Sequence, residues 1–125
     1  MKTVINTPNA PAPIGPYNQA VMHGNTLYIS GAIALDPATN NMIQTDIEAE
    51  TKQVMKNLGE ILKAAGMDYS NIVKSTIFVT DLANFAKINA VYGSFFKDNY
   101  PARETVQVTA LPKGANVEIS AIAVK

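Results

Sequence analysis

The sequence predicts an α+β fold in which two amphipathic helices pack on one face of a mostly antiparallel sheet of about six strands. Two segments have the apolar repeat of a helix, and short runs rich in β-branched residues lie before, between and after them. The elements follow the order strands, helix, strand, helix, two strands. With 125 residues and no internal repeat or linker, the chain is predicted to be a single domain spanning residues 1–125.

The N-terminal part of the chain is predicted to form an extended lead-in segment followed by a hairpin. A proline cluster at residues 8–13 lies too close to the N-terminus to be an interdomain linker. Tyr17–Met22 and Leu27–Ser30 are typical of strands, and the Gly24-Asn25 pair between them favours a tight turn. A second turn is expected at residues 36–41, where Asp, Pro and Asn cluster.

The most regular pattern runs from Asp46 to Ala65, where apolar side chains recur at spacings of three and four. Thr45 with Glu48 three residues later matches a capping box, which marks the start of a helix. Gly66 is placed to adopt the left-handed conformation that ends one. A helix over residues 46–65 is therefore expected.

The second half of the chain alternates between strand and helix patterns. Ile72–Thr80 is rich in β-branched residues and predicts a strand. Aromatic and aliphatic residues at helical spacing then predict a second helix from about Asn84 to Lys97. Thr105–Thr109 alternates polar and apolar residues, and Val117–Val124 combines β-branched residues with alanine, so both are predicted strands.

Helices on one side would leave the other face of the sheet uncovered. The strands at 72–80 and 117–124 carry apolar or small side chains on both faces, so the uncovered face would be a sizeable apolar patch. Charged residues make up only 16% of the chain. We therefore expect this face to be buried in an oligomer.

Composition excludes several classes of function. The formal net charge is zero, which provides little electrostatic attraction for nucleic acid or an anionic membrane. The absence of cysteine excludes disulfides, thiolate nucleophiles and cysteine-based metal sites. Met1–Asn9 lacks the apolar core of a secretion signal, and no run approaches the roughly 20 apolar residues of a membrane span. The expected location is the cytoplasm.

Few polar residues outside the C-terminal third point to chemistry by themselves. The single histidine, His23, lies beside a predicted turn without a nearby acidic partner, which is typical of an exposed turn residue, and a zinc site is not expected. Neither Gly15-Pro16 nor Ser30-Gly31 has the spacing of a phosphate-binding loop. Taken alone, Ser30 is a strand-end serine and Tyr17 an ordinary half-buried tyrosine.

The candidate catalytic residues lie between residues 101 and 119. Arg103, at the mouth of a predicted strand, can hold a carboxylate through two parallel hydrogen bonds, which a lysine cannot reproduce. Thr105 and Gln107 share its strand face. Glu118 interrupts an apolar strand, where a carboxylate must be hydrogen-bonded, paired or catalytic. The alternative is a structural ion pair between Arg103 and Glu118 on adjacent strands.

Short motifs are spread over essentially the whole chain. They are Ala12–Ala20, Tyr28–Gly31, Phe78–Leu82, Val91–Phe96, Pro101–Arg103, Leu111-Pro112 and Val117–Ile119. In this order they resemble the motifs of the reactive intermediate deaminase family, also called the Rid or YjgF-like family. The resemblance implies a chorismate-mutase-like α+β fold and a homotrimer with three sites at subunit clefts.

The resemblance also implies an activity, the hydrolysis of 2-imino acids such as 2-iminobutanoate and 2-iminopropanoate, the tautomer of 2-aminoacrylate, to 2-keto acids and ammonia. Arg103 matches the residue that holds the substrate carboxylate, and Glu118 matches the residue that orients or activates water. No metal or organic cofactor is implied. Other matching positions are expected to line the same cleft and contact the substrate: Tyr17, Ser30, Gly31, Asn89 and Thr105.

The chain departs from the family pattern at a few positions near these motifs. Thr105 stands where a cysteine is common, so it supplies a hydroxyl but no reactive thiol. Ala32 and Ala34 replace the usual Gln and Pro, and Ala110 stands where an arginine is common. These changes bear on substrate range and on the polarity of the cleft.

Two other functions are compatible with the resemblance. A regulatory trimer could use Arg103 to bind a keto or amino acid without turning it over. An RNA-cleaving protein would need a phosphate-binding surface and an acid–base pair, and neither the neutral charge nor the lone His23 supplies them.

Overall fold

Six strands form one sheet, and two helices cover one side of it. The computed structural model describes residues 1–125. The elements are β1 (Thr3–Ile5), β2 (Ala20–His23), β3 (Thr26–Ala32), α1 (Ile47–Ala64), β4 (Ile72–Val79), α2 (Phe85–Gly93), β5 (Ala102–Gln107) and β6 (Val117–Val124). Across the sheet the strand order is β1-β2-β3-β6-β4-β5. All neighbouring pairs are antiparallel except β4 and β5, so the predicted α+β fold with a mostly antiparallel sheet is confirmed.

Helix α1 begins one residue later than the capping pattern predicted. Asp46 has an extended backbone, with φ −157° and ψ 172°, and its Oδ1 accepts the Ala49 N–H at 2.7 Å. Asp46 therefore caps the helix, and the prediction that Thr45 forms a capping box with Glu48 was wrong. A carboxylate at the cap also interacts favourably with the positive end of the helix dipole.

The predicted end of α1 is confirmed. Gly66 has a φ of 72°, the left-handed conformation that glycine adopts without steric penalty. Its N–H donates to the Lys63 carbonyl at 3.0 Å, and the Met67 N–H donates to the Leu62 carbonyl at 2.9 Å. This pair of bonds is a Schellman motif, which satisfies two carbonyls of the last turn.

Helix α2 ends at Gly93, four residues before the predicted end at Lys97. The N–H groups of Phe95 and Phe96 donate to carbonyls three residues back, which is the geometry of a tighter turn. The Phe96 ring still packs on Tyr92, with ring centroids 5.0 Å apart. Apolar spacing therefore continues beyond the helix, and this explains why periodicity overestimated its length.

The strand predictions differ in accuracy. Strand β6 has the predicted bounds, and the two-residue turn at Gly24-Asn25 is confirmed, with a φ of 60° at Gly24. Strand β1 was not predicted, and β2 starts three residues later than expected. Strand β5 was predicted at 105–109 but spans Ala102–Gln107, because its parallel pairing with β4 begins at Ala102. This pairing is long-range and leaves no local pattern.

The two faces of the sheet have different environments. Alternate residues of β4 and β6 are buried beneath the helices, including Ile77, Val117 and Ile119. The intervening residues lie on the opposite face, where no helix packs and where Tyr28 and Val106 are exposed. The predicted uncovered face is therefore confirmed.

We predict that Asp46→Ala lowers the free energy of unfolding by about 1 kcal/mol, because the Ala49 N–H in the first turn loses its capping acceptor. The melting temperature should fall by roughly 3–6 °C. Urea and thermal denaturation followed by circular dichroism measure both. Thr45→Ala is the matched control and should change stability by less than about 0.5 kcal/mol; the opposite ranking would contradict the observed cap.

Candidate functional site

One candidate cleft surrounds Glu118 on β6. It has a volume of about 390 Å³. Glu118 lies on the sheet face opposite the helices, since its neighbours Val117 and Ile119 are buried beneath them. The residues that line this cleft are Ile14, Tyr17, Ser30, Gly31, Ile33, Pro112 and Glu118. Three residues predicted from the sequence, Tyr17, Ser30 and Gly31, are therefore brought together with Glu118.

Gly31 makes room for the Glu118 carboxyl. A Cβ added at this glycine would lie 2.7 Å from Glu118 Oε2 and 2.8 Å from its Cδ, closer than real Cβ contacts. The register of β3 against β6 shifts between Ile29 and Ala32, which places Gly31 in a bulge. Bulges re-aim side chains beside functional sites. Glycine is needed here because of a close approach and not because of its φ angle.

Ser30 and Tyr17 are held by the backbone around them. Ser30 Oγ donates to the Asn18 carbonyl at 2.7 Å, so its lone pairs remain available to accept a hydrogen bond. The Tyr17 hydroxyl accepts the Ile14 N–H at 3.4 Å, and the ring is half exposed. Tyr17 can therefore contact a ligand through either its ring or its hydroxyl.

Gln19 fixes the lead-in segment just before Ile14, which is the first residue of the chain to line this cleft. It is 5% exposed; its Nε2 donates to the carbonyls of Ala10 and Pro11 at 3.2 and 2.8 Å, and its Oε1 accepts the Thr7 N–H at 2.6 Å. Sequence reasoning missed this residue. A glutamine directly before the apolar residues that begin β2 was the available signal, because a polar side chain at a buried position requires partners.

The Glu118 carboxyl is half-buried and has no cationic partner. Burial disfavours the charged form and raises the pKa of Glu118 above that of an ordinary glutamate. A raised pKa brings a carboxyl closer to the range in which it can both accept and return a proton near neutral pH. Glu118 therefore has the properties of a candidate general acid or base.

A second cleft, of about 310 Å³, surrounds Arg103 beside α2. Arg103 is the second residue of β5 and pairs with Ser75 of β4, whose side chain is buried beneath the helices. The residues lining this cleft are Asn89, Tyr92, Gly93, Tyr100, Pro101 and Arg103. The sequence-predicted Asn89 is therefore placed beside Arg103.

Two aromatic rings hold the Arg103 guanidinium. Its Cζ lies 5.1 Å from the Tyr92 ring centroid and 5.7 Å from that of Phe85, within cation–π range. Tyr92 is fixed in turn by a 2.9 Å hydrogen bond from its hydroxyl to Ser75 Oγ. Burial raises the Tyr92 pKa, so the hydroxyl remains a donor. The helical spacing of Phe85 and Tyr92 predicted a shared face but not this contact with Arg103.

Arg103 forms no ion pair within the chain, whose single salt bridge joins Lys74 and Glu104 at 3.1 Å. Its five N–H donors are therefore available to an anionic ligand. Thr105 follows on the same strand face, and its buried Oγ1 has no hydrogen-bond partner. Thr105 lines neither cleft, so the structure does not bring this predicted residue together with the others.

The two clefts are separate in one chain. Glu118 pairs with Phe78 and Arg103 pairs with Ser75, and alternate residues of β4 face opposite sides of the sheet. Strand β4 also lies between β5 and β6, which are not adjacent. The alternative prediction of a structural ion pair between Arg103 and Glu118 on adjacent strands was therefore wrong.

The single histidine, His23, lines neither of the two clefts. His23 is exposed at the hairpin turn, as predicted. No three histidine, cysteine, aspartate or glutamate side chains come close enough to hold a metal ion together. Neither helix combines the length and the apolar character needed to cross a bilayer.

The model of a known family, described as Endoribonuclease L-PSP, matches residues 7–125. The chain belongs to this family. A Homo sapiens member named 2-iminobutanoate/2-iminopropanoate deaminase is 47% identical over 125 residues, covering 100% of this chain and 91% of that protein. An Arabidopsis thaliana member named Reactive Intermediate Deaminase A, chloroplastic, is 48% identical over 122 residues, covering 98% of this chain and 65% of that protein.

Solved structures of family members have the same fold. The crystal structure of E. coli TdcF with bound serine has a TM-score of 0.95 and 41% identity, and the match covers 98% of each chain. The predicted resemblance to the reactive intermediate deaminases is thus confirmed both by the sequences and by the arrangement of helices and strands.

We predict that Glu118→Gln makes the folded protein more stable at pH 7. Because burial raises the folded-state pKa of Glu118, the glutamate favours folding below its unfolded pKa and loses that contribution as pH rises through the folded pKa. Glutamine does not titrate, so the difference in melting temperature should shrink as pH falls toward about 4.

Glu104→Gln is the matched control of opposite sign. Hydrogen bonds from Thr76 and Lys74 lower the pKa of Glu104, so its stabilising contribution exists above the unfolded pKa and disappears as pH falls. This variant should be less stable than the wild type at pH 7 and equal to it in acid. Thermal melts at several pH values measure both, and equal pH profiles for the two variants would refute the assignment.

Proposed function

We propose that this protein is a hydrolytic deaminase that converts 2-imino acids, such as 2-iminobutanoate and 2-iminopropanoate, to 2-keto acids and ammonia. The full-length similarity to the human deaminase of that name supports this activity. The structural observation that carries it is the Arg103 guanidinium, which is held by two aromatic rings and has no acidic partner. Such a group suits a small substrate with a carboxylate.

In this scheme Arg103 binds the substrate carboxylate. Two parallel hydrogen bonds from a planar guanidinium fix both the position and the orientation of a carboxylate. Asn89 lines the same cleft, and Thr105, two residues along β5 from Arg103, is the further substrate contact that we propose. The serine bound to E. coli TdcF carries the same kind of α-carboxylate. Anchoring that group would hold the C=N carbon in place for attack.

Glu118 handles the protons of the reaction. Water adds its oxygen to the electrophilic C=N carbon and gives one proton to Glu118, which passes it to the imine nitrogen, so that a carbinolamine forms. Glu118 then takes the proton of the carbinolamine hydroxyl and delivers it to the nitrogen as the C–N bond breaks, so that the carbonyl forms and ammonia leaves. The raised pKa of Glu118 suits this exchange near neutral pH. Ser30, Gly31 and Tyr17 shape the cleft around the water.

We further propose that the protein is a homotrimer whose sites lie between subunits. The uncovered sheet face, with its exposed Tyr28 and Val106, offers a surface for association. A neighbouring copy would bring its Arg103 cleft to the Glu118 cleft, which one chain keeps apart. The protein is expected to act in the cytoplasm, although the Arabidopsis relative is a chloroplastic protein.

Two alternative functions make different demands. A regulatory protein would bind keto or amino acids at Arg103 without turnover, and it would not need the carboxyl at Glu118. RNA cleavage, suggested by the family's name, lacks support from the neutral net charge and from the exposed, unpartnered His23. We therefore place nucleic acid outside the expected partners.

We predict distinct kinetic losses for the two central residues. Arg103→Lys should lower kcat/KM at least about tenfold, because lysine keeps the charge but loses the two-pronged geometry. Glu118→Gln should lower kcat by about 10²–10⁴-fold while leaving binding of the product 2-ketobutyrate unchanged, because glutamine cannot accept the proton. Glu48→Gln, at an exposed position of α1, is the control and should be silent.

The assay generates the imine in place with a pyridoxal-phosphate-dependent threonine dehydratase and follows keto-acid release, while isothermal calorimetry measures product binding. If the wild-type protein binds 2-ketobutyrate but does not accelerate the formation of keto acid from the imine, the regulatory alternative is favoured. An Arg103→Lys variant with undiminished hydrolysis would refute the role of Arg103.

Mixing the two inactive variants tests whether sites are shared between subunits. If Arg103 of one copy works with Glu118 of the next, every trimer containing both variants regains one of its three sites. A randomly assembled 1:1 mixture of Arg103→Lys and Glu118→Gln chains, refolded together, should therefore recover about one quarter of wild-type activity. Light scattering confirms the assembly. A mixture no more active than its components would argue for sites within single chains.

A further inference from the structure

Glu50 is a buried acidic side chain that the proposed chemistry does not use. It lies in the first turn of α1 and is 1% exposed, the lowest exposure of any charged residue in the chain. It has no cationic partner, because the only ion pair joins two other residues. A buried charge without a counter-ion persists only where hydrogen-bond donors surround it. The identity of those donors indicates what Glu50 does.

The donors come almost entirely from Asn116. The Asn116 N–H donates to Glu50 Oε2 at 2.7 Å, and Asn116 Nδ2 donates to Oε1 at 2.9 Å. Gln44 Nε2 adds a longer contact of 3.4 Å to Oε2. All three groups are donors, and an ionised carboxylate, which only accepts, fits all of them. Glu50 therefore binds both the backbone and the side chain of Asn116.

Asn116 ends a loop whose backbone is conformationally constrained. Lys113 and Gly114 both have left-handed backbones, with φ of 56° and 69°. A non-glycine residue rarely adopts this conformation, which persists where surrounding contacts impose it. Gln44 supplies one such contact, a 2.9 Å hydrogen bond from Nε2 to the Gly114 carbonyl. The Asn116 carbonyl accepts the Thr80 N–H at 3.1 Å.

This loop adjoins the Glu118 cleft on two sides. Pro112, at its beginning, lines the cleft, and Asn116, at its end, lies two residues before Glu118. A shift of the loop would move both the wall and the strand that carries the carboxyl. The Glu118 carboxyl has little room to move toward Gly31, since there is no space for even a Cβ between the two residues.

We propose that Glu50 is a positioning residue, whose carboxylate clamps the 112–116 segment through Asn116 and so holds the Glu118 carboxyl in its place against Gly31. This role presupposes the proposed deaminase chemistry at Glu118. Glu50 does not touch the substrate. Its effect should fall on kcat and not on substrate affinity, because Arg103 lies on the other face of the sheet, away from this loop.

The test compares Glu50→Gln with Glu48→Gln, an exposed glutamate in the same turn of α1. Glutamine keeps the length of the side chain but turns one acceptor into a donor that faces the Asn116 donors. We expect Glu50→Gln to lower kcat roughly tenfold and to change KM by less than about twofold, with an unchanged Glu48→Gln control. A general loss of folded protein would lower the active fraction in titrations with a tight-binding product analogue and would not alter kcat per site.

Hydrogen–deuterium exchange provides a readout that does not depend on activity. Amides of residues 112–118 should exchange at least about tenfold faster in Glu50→Gln, while amides of β2 and β3 stay unchanged. If the wild-type protein is inactive but Glu50→Gln still shows the faster exchange at residues 112–118, the deaminase function is refuted and the clamp stands. Active wild-type protein, with neither kcat nor local exchange altered in Glu50→Gln, would overturn the clamp.

A second variant covers the case in which Glu50→Gln does not fold. Gln44→Ala removes the contacts to Gly114 and Glu50 from an exposed position, so the fold should survive. We expect a kcat reduction of about twofold to fivefold together with faster exchange at 112–116. If Glu50→Gln does not fold, a Gln44→Ala variant with unchanged kcat and unchanged exchange at residues 112–116 would overturn the clamp.

Discussion

Strand β6 imposes the constraint on which the rest of the structure depends. It is hydrogen-bonded on both sides, to β3 and to β4, so its residues must alternate strictly between the two faces of the sheet. Val117, Ile119 and Ala121 are buried beneath the helices, and Glu118 consequently lies on the other face. A shift of one residue would move the carboxyl into the core. The core packing and the position of the candidate acid are thus set together.

The surroundings of Arg103 and of Glu118 affect the charges of these two groups in opposite ways. Arg103 is surrounded by aromatic rings, which accommodate a cation without neutralising it, and it remains free to bind an anion. Glu118 is instead partly removed from water, which weakens its preference for the charged form. In the proposed reaction, Arg103 would act as a fixed charge and Glu118 as an exchangeable proton carrier. These are the two properties that hydrolysis of a carboxylate-bearing imine requires.

Local patterns in the sequence predicted those features that depend on neighbours along the chain. The apolar repeat of α1, its stop at Gly66 and the composition of β6 are of this kind, and all three are confirmed. Features that depend on distant pairing were missed or misplaced. The start of β5 follows from its parallel register with β4, and β1 forms because its partner β2 is present.

The candidate site was predictable by residue type more than by arrangement. Arg103 and Glu118 stood out as charges in strand-like segments, but their placement on opposite faces follows from the order of strands in the sheet, which no local pattern encodes. Gln19 and Glu50 are buried polar residues whose partners lie in distant segments. A sequence reveals that such residues are unusual, but only the fold identifies the segments that they hold.

The separation of the two clefts has a consequence for how the protein would behave when scarce. A chain on its own contains every group of the proposed site but cannot place them around one substrate molecule. Specific activity would then vary with protein concentration and would fall once dilution drives the subunits apart. Expression level would act as a threshold, and the capacity to clear imines would rise more steeply than the amount of protein made.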